Sequence, residues 1–354
     1  MTRPPPPLEG DPDGRVGVFT HGLWGHRREV AAMTGMVPVR RFRSARGLAA
    51  VAVWGRRPTH AGARAAAEAE GVPVWTLEDA FLRSVAPGPG EAPLGYALDP
   101  VGVHYDAARP SALEELVLDR ALDPERAARD AAPALHGLRV LGLSKYNLFD
   151  PAGSALAALP RDPARVVLLA DQTAGDASVA GAGAGPEAFT AMIVAAAEAH
   201  PGATLVLKTH PETAAGRRPG HFTAARVAEA AARSEAAAEA RAAGRIVTLT
   251  ARVRPRDLFA RVSRVYAVSS LLGLEALAAG LPVTCLGRAF YAGWGLTEDL
   301  CGPIPRRRPA PLEALVAAAY ADHCRWFDPE TRAPIGLAEA VARLADRVAE
   351  RRAA

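Results

Sequence analysis

Four short stretches of this 354-residue chain carry side chains whose types and spacing could do chemistry. In the first, Val265-Tyr266-Ala267-Val268 runs into Ser269-Ser270, and a leucine and alanine run then continues to Gly280. The pattern predicts a strand, a tight turn, a helix and a glycine C-cap. At such a turn the free N–H groups of the helix face the carboxyl edge of the strand with partial positive charge, so an anion fits there. Ser269 and Ser270 either donate to that anion or simply cap the helix. Glu275, in the second helical turn, either accepts hydrogen bonds from sugar hydroxyls or faces water. In the second stretch, a strand at 204–207 ends in Lys208-Thr209-His210-Pro211. Lysine would supply charge, histidine a directional donor and proline a fixed turn, a set that again suits a phosphate. A surface turn with incidental charge is the alternative. Composition favours the phosphate, because 40 of the 42 basic residues are arginine and only Lys145 and Lys208 are lysine.

The third stretch is Leu77-Glu78-Asp79-Ala80-Phe81-Leu82-Arg83-Ser84. Glu78 and Asp79 followed by Arg83 could form a general acid/base beside a carboxylate-binding guanidinium. They could equally open a helix whose dipole favours acids. The fourth stretch, Asp171-Gln172-Thr173-Ala174-Gly175-Asp176-Ala177-Ser178, leaves a continuous apolar run at 166–170 of the kind buried in parallel sheets.

The elements that must position these groups alternate between strand and helix. Strands are predicted at 15–19, 48–54 and 72–76 with a helix at 61–70, then strands at 166–170, 204–207, 246–249 and 283–286 with a helix at 186–200. Such alternation argues for parallel, doubly wound sheets that bind ligands outside the carboxyl ends of their strands. Between the halves, residues 98–106 suggest a hairpin with an aspartate at each end, and Ser111 with Glu114 forms a capping box. A polar helical bridge at 119–137 leads to Ser144-Lys145-Tyr146-Asn147. Residues 223–243 suit a solvated helix with i,i+4 ion pairs. Phe290 to Thr297 reads as a shaped loop beside a ligand, or else as a core plug. Arg306 to Arg308 reads as a solvated charge run or a contact with anionic lipid.

Bulk properties set the outer limits. Length suggests about two domains, and 49% hydrophobic residues are ample for real cores. An excess of 42 basic over 38 acidic residues is too slight to imply nucleic acid. Cys285, Cys301 and Cys324 lack CxxC spacing, which argues for a reducing compartment, and Cys301 with His323 and Cys324 is poor zinc spacing. No run approaches the ~18–20 apolar residues of a membrane span, and the N-terminus lacks a signal-peptide core, so the expected location is inside the cell.

The motifs EDAFLRS (78–84), DPVGVHYD (99–106), SKYN (144–147), DQTAGDAS (171–178), KTHP (208–211), the 269–280 stretch and FYAGWGLT (290–297) occur in one order. In that order and spacing the chain resembles the capsular polysaccharide biosynthesis proteins of the KpsC type, over residues 16–328. These are β-Kdo transferases that build an oligo-Kdo linker on a phosphatidylglycerol anchor. Members usually carry two such modules in tandem; this chain is long enough for one, and its DQT form is similar to the N-terminal module. Ala80 stands where the family pattern has glycine.

The resemblance implies a GT-B-like fold, two doubly wound Rossmann-like domains facing a cleft. It divides the chain into a tail (1–14), an acceptor-side domain (15–150), a CMP-sugar-binding domain (151–310) and C-terminal helices (311–354). It also implies retaining transfer of Kdo from CMP-β-Kdo to a lipid-linked acceptor, without metal or cofactor, at the inner face of the membrane and in the company of capsule assembly and export proteins. Asp176 is then the nucleophile and Glu78 the acid/base. Asp79, Arg83, Lys145 and Gln172 meet the substrate, and Lys208, His210, Pro211, Ser269, Ser270 and Glu275 the nucleotide. Asp171, nearer the strand, is expected to be held by backbone donors as the structural member of its pair. Two rival readings are a non-catalytic export or scaffold component and a GT-B transferase with a CDP-polyol donor.

Overall fold

The computed structural model describes residues 13–88, 90–150 and 153–353, so most of the expected N-terminal tail lies outside the described residues. Two sheets organise the chain. The first contains β1 (Arg15–Val18), β2 (Val37–Arg40), β3 (Ala50–Trp54), β4 (Val74–Asp79) and β5 (Gly95–Asp99). The second contains β6 (Val166–Ala170), β7 (Thr204–Lys208), β8 (Ile246–Leu249), β9 (Arg264–Ala267), β10 (Val283–Cys285) and β11 (Glu298–Asp299), in the order β11-β10-β9-β6-β7-β8 and parallel throughout. All five residues of β6 are buried, the pattern of a central strand covered on both faces. Its carboxyl end is therefore held in place from both sides, and the Asp171–Ser178 loop leaves from a fixed point.

The C-terminal segment departs from expectation. It does not form a separate helical unit: β12 (Cys324–Phe327) pairs antiparallel with β5, and β13 (Pro334–Ile335) pairs with β12. The first sheet thus runs β13-β12-β5-β4-β3-β1-β2, and the chain closes on the domain where it began. Trp326 and Phe327 are fully buried at this seam, and the indole N–H of Trp326 donates to the Tyr320 carbonyl at 2.8 Å. The anticipated hairpin is also absent. β5 pairs antiparallel with β4, and Asp99 Oδ1 then accepts from the N–H groups of Val101, Gly102 and Ala112, folding the next stretch into turns.

The bridging helix, Pro124–Arg139, is less polar in place than in sequence. Ala127, Ala131, Ala134, Leu135 and Leu138 form its buried face, within a core that includes Phe81, Leu168, Leu274, Trp294 and Leu344. Because that core draws on both sheets, the two domains are packed on a shared wall. Trp294 belongs to it, buried, with its N–H on the Phe290 carbonyl and Arg307 over its ring, so the core-plug reading holds for Trp294. Arg306 and Arg307 are not a solvated run: both pair with Glu114, at 2.9 and 2.8 Å, and Arg307 is buried. Ser111 caps its helix as expected, but Glu114 turns to these arginines instead of completing the box. Residues 223–243 form two helices, Ala224–Arg233 and Glu235–Ala242, because Ser234 ends the first and caps the second.

Candidate active site

The carboxyl ends of β3, β4, β6, β7 and β9 open on one cleft of about 1110 Å³. Every residue selected from the sequence as catalytic, substrate-binding or nucleotide-binding lines it, except Arg83. Arg83 is buried behind the wall, with Nε 3.0 Å from Asp79 Oδ1 and Nη1 donating to Ser84 Oγ at 2.9 Å. It fixes Asp79 and does not face the cleft.

Glu78 occupies a seat that the sequence did not announce. A Cβ at Gly55, at the end of β3, would lie 1.9 Å from Glu78 Oε1, and Gly55 has φ of 47°, so this position takes glycine on both counts. The hydroxyl of Tyr105 accepts from the Arg56 N–H at 3.0 Å and hydrogen-bonds the Glu78 carboxylate. Burial raises the Glu78 pKa and Asp79 adds to the rise, while Lys145, Tyr105 and Arg57 oppose it. A carboxyl shifted in this direction keeps its proton to higher pH than an exposed one, which suits a group that exchanges a proton with a ligand. Lys145 stands between the walls. Burial works against its charge, but Tyr146, Asp79, Glu78 and Asp176 outweigh it and raise its pKa. Even so, no carboxylate oxygen lies within ion-pairing distance of it among the described residues, which leaves the ammonium free for an acidic ligand.

On the opposite wall Asp171 is held by backbone donors, as expected: its Oδ1 accepts from the N–H groups of Gln172 and His221, both at 2.9 Å. Asp176 caps the short helix Ala177–Gly181, its Oδ1 accepting from the N–H and Oγ of Ser178, each at 2.9 Å. Among the described residues no hydrogen bond or ion pair occupies its Oδ2. Half of that carboxylate is thus used for capping and half faces the cleft. Gln172 ties this loop to the opening turn of the next helix. Its Nε2 donates to Ser178 Oγ and Ser269 Oγ at 3.1 and 3.0 Å, and its Oε1 accepts from the Ser269 N–H at 3.0 Å. Both ends of the Gln172 amide are satisfied inside the protein, so Gln172 and Ser269 hold Ser178, which in turn holds Asp176, and both also line the cleft.

The residues expected to meet a nucleotide follow the same edge. His210 caps the helix Pro211–Ala214, its Nδ1 accepting from the Glu212 N–H at 3.2 Å, which assigns the proton to Nε2. Burial lowers its pKa to about 4, so at neutral pH it is a neutral, directional donor. Burial also lowers Lys208 to about 8; the only hydrogen bond of its ammonium among the described residues goes to the Thr209 carbonyl, at 3.1 Å. Ser270 caps Leu271–Ala278, accepting from the Leu272 N–H at 3.4 Å. Glu275 does not face water. It is buried, accepts from Ser144 Oγ at 2.7 Å and from the Lys145 N–H, and burial pushes its pKa up to about 7. Gly55, Tyr105 and Ser178 had no role in the sequence reading. Tyr105 and Ser178 stood within motifs, but only the folded contacts distinguish them from their neighbours.

Among the described residues no group of three or more His, Cys, Asp or Glu side chains is placed to hold a metal ion. No helix among them is long and apolar enough to cross a membrane.

Two α/β domains with a polar site between the carboxyl edges of their sheets define the GT-B-like class. Within that class the chain belongs to the capsule polysaccharide biosynthesis protein family, whose model matches residues 49–140 and 143–324, and it is of the KpsC type. It is 33% identical over 297 residues to the capsule polysaccharide modification protein LipA of Neisseria meningitidis serogroup A, covering 82% of this chain and 40% of LipA. It is 34% identical to the lipopolysaccharide-processing protein LpsZ of Rhizobium meliloti, covering 72% of this chain and 54% of LpsZ. The chain therefore spans about half the length, or less, of these curated relatives. Among solved structures it resembles Thermosulfurimonas dismutans KpsC, beta Kdo 2,4 transferase, with TM-score 0.78 and 33% identity over 94% of this chain and 98% of that one. A second structure from that organism, KpsC beta Kdo 2,7 transferase, shares the fold with TM-score 0.65 at 24% identity, over 94% of this chain and 99% of that one.

Proposed function

We propose that this chain is a retaining β-Kdo transferase that moves Kdo from CMP-β-Kdo to a Kdo-phosphatidylglycerol or phosphatidylglycerol acceptor during synthesis of a capsule linker. The observation that carries this reading is the arrangement across one cleft. A carboxylate with a free oxygen, Asp176, faces a desolvated carboxyl, Glu78, with an unpaired ammonium, Lys145, between them and a second cation, Lys208, at the nucleotide end. The solved Kdo transferase similar over nearly all of the chain supports the choice of sugar.

Retention needs two displacements at the anomeric carbon. In the first, Asp176 Oδ2 attacks that carbon, the bond to the CMP phosphate oxygen breaks, and the electron pair leaves with CMP. The departing phosphate meets Lys208 and the Nε2–H of His210, while Lys145 pairs with the Kdo carboxylate. In the second, an acceptor hydroxyl attacks the same carbon, Glu78 takes its proton, and the bond to Oδ2 breaks, restoring Asp176. The lipid acceptor places the enzyme at the cytoplasmic face of the inner membrane, beside other capsule assembly and export proteins.

The reading is tested by incubating the chain with freshly generated CMP-Kdo and a Kdo-terminated lipid analogue, followed by mass analysis. Addition of Kdo residues to the analogue is the expected result. A chain that neither binds CMP nor extends the analogue would contradict it and favour a scaffold role.

A further inference from the structure

Arginine is distributed unevenly on the first domain. Around much of the molecule it is paired with carboxylates, as in Arg120 with Asp322, Arg252 with Asp150 and Arg332 with Glu29. At the outer end of the first sheet it is not. Arg27, Arg28, Arg40, Arg41, Arg43 and Arg46 surround the edge strand β2 and the helix Arg27–Thr34, and none makes an ion pair among the described residues. Amid them Phe42 is 75% exposed, and Arg40 lies over both Phe42 and Trp24, 5.3 and 5.8 Å from the ring centroids. Arg27 covers Trp24 at 5.5 Å. Trp24 rests one face on the core of the first domain and shows the other to Arg27 and Arg40, whereas Phe42 belongs to no core cluster and has no evident part in holding the fold together.

Register places this patch with respect to the cleft. Arg40 is level with Val18, Val18 with Ala52, and Ala52 with Trp75, all in parallel strands. Arg41, Phe42 and Arg43 therefore emerge at the same carboxyl edge as Arg57 and Glu78. β2 lies three strands from β4, which is roughly 14 Å along the edge. The patch thus lies on the same sheet edge as the first-domain lip of the cleft.

We propose that this face seats the protein on an anionic lipid bilayer, with guanidinium groups on lipid phosphates and Phe42 and Trp24 at headgroup level. Arginine forks match phosphate oxygens, aromatic rings favour the membrane interface, and a surface in which guanidinium groups outnumber the neighbouring carboxylate, Glu70 on Ser44 Oγ, is drawn to anionic lipid. The seat brings the acceptor end of the cleft to the membrane surface, where a lipid-linked acceptor has its headgroup. Arg306 and Arg307, which the sequence suggested for lipid contact, are engaged with Glu114 instead. The inference rests on the lipid-acceptor part of the proposed function and adds the surface that meets the membrane.

The test uses the full chain and sedimentation with vesicles of phosphatidylcholine alone or mixed with phosphatidylglycerol. Binding to the mixed vesicles only, weakened by added salt, is expected. Replacing Arg27, Arg28 and Arg43 together by glutamine should weaken it on the order of a hundredfold, at about fivefold per arginine. The matching three lysine replacements should keep most of the binding, losing only what the guanidinium fork adds to the charge, and Phe42→Ala should lose a smaller factor than the glutamine variant while keeping the salt dependence. Transfer to a water-soluble Kdo-terminated acceptor should be unchanged in the glutamine variant, while transfer to vesicle-borne acceptor falls with binding. Equal binding to both vesicle types, or undiminished binding by the glutamine variant, would overturn the proposal. So would light scattering showing that the patch joins two copies of the chain while vesicles stay unbound. Absence of transfer to the soluble acceptor in the parent chain would count against the transferase reading alone, and the vesicle comparison would still decide this one.

Discussion

On the first-domain wall Glu78 is a desolvated carboxyl whose ionisation depends on its neighbours: Tyr105 and Lys145 favour the charge, burial and Asp79 oppose it. On the second-domain wall Asp176 belongs to a network of neutral groups, Ser178, Gln172 and Ser269, that fixes its position and leaves one oxygen free. The first arrangement suits a group that must change protonation during turnover. The second suits a group that must point in one direction. In the proposed mechanism the acid/base and the nucleophile therefore sit in two kinds of environment, one tuned by charge and one held by hydrogen bonds.

The largest expected effect tests the charge-tuned wall. Glu78→Gln removes the proton acceptor and keeps the shape, so turnover should fall by roughly 10²–10⁴ while CMP affinity is unchanged in calorimetry. Ordinary turnover would reduce Glu78 to a helix or strand-end acid. Next comes the nucleotide end: Lys208→Ala should weaken CMP binding by roughly 1.5–3 kcal/mol, the range for a hydrogen bond to a charged group. Because Lys208 loses its proton near 8, parent affinity should also decline as pH rises from 7 to 9. A flat profile over that range would remove Lys208 from the phosphate seat.

Glu275 gives an effect of similar size on stability. A carboxyl that titrates near 7 in the fold and near 4.5 when exposed costs roughly 3 kcal/mol once ionised. Its folded pKa is raised, so the fold is favoured at acid pH and loses this contribution as pH climbs from the exposed value through 7. Glu275→Gln should therefore raise Tm at pH 8 and change it little at pH 5. If Glu275 also receives ribose hydroxyls, the same variant weakens CMP binding. The smallest effect sharpens the comparison itself. Tyr105→Phe removes a donor to the Glu78 carboxylate, so the acidic limb of the turnover profile should move to higher pH. An unmoved limb would show that Tyr105 only fills space.

Much of the second domain was legible in the sequence because its signals are local. An all-apolar strand followed by Asp171-Gln172-Thr173, or by Lys208-Thr209-His210, announces a buried parallel strand and the loop at its end, and the structure has both. Non-local pairings left no such trace. β12 joins β5 across more than two hundred residues, and nothing in Cys324-Arg325-Trp326-Phe327 indicates that partner. Arg306 and Arg307 have the composition of a solvated run, and only Glu114, brought up from the first domain, makes them structural. Tyr105 and Gly55 belong to the same class, since the seat they form for Glu78 exists only when three separate segments meet. At the candidate site, strand ends could be read in advance, but the partners that set charge and direction could not.

The central claim is that Asp176 is the nucleophile. Its most direct test is to incubate the chain with CMP-Kdo in the absence of a good acceptor, quench, digest and weigh the peptides. One Kdo should be found on the peptide containing Asp176, localised to that side chain by fragmentation, and Asp176→Ala should lose both the adduct and transfer. An adduct on Asp171, or an Asp176→Ala chain that still transfers Kdo at an appreciable rate, would contradict the claim.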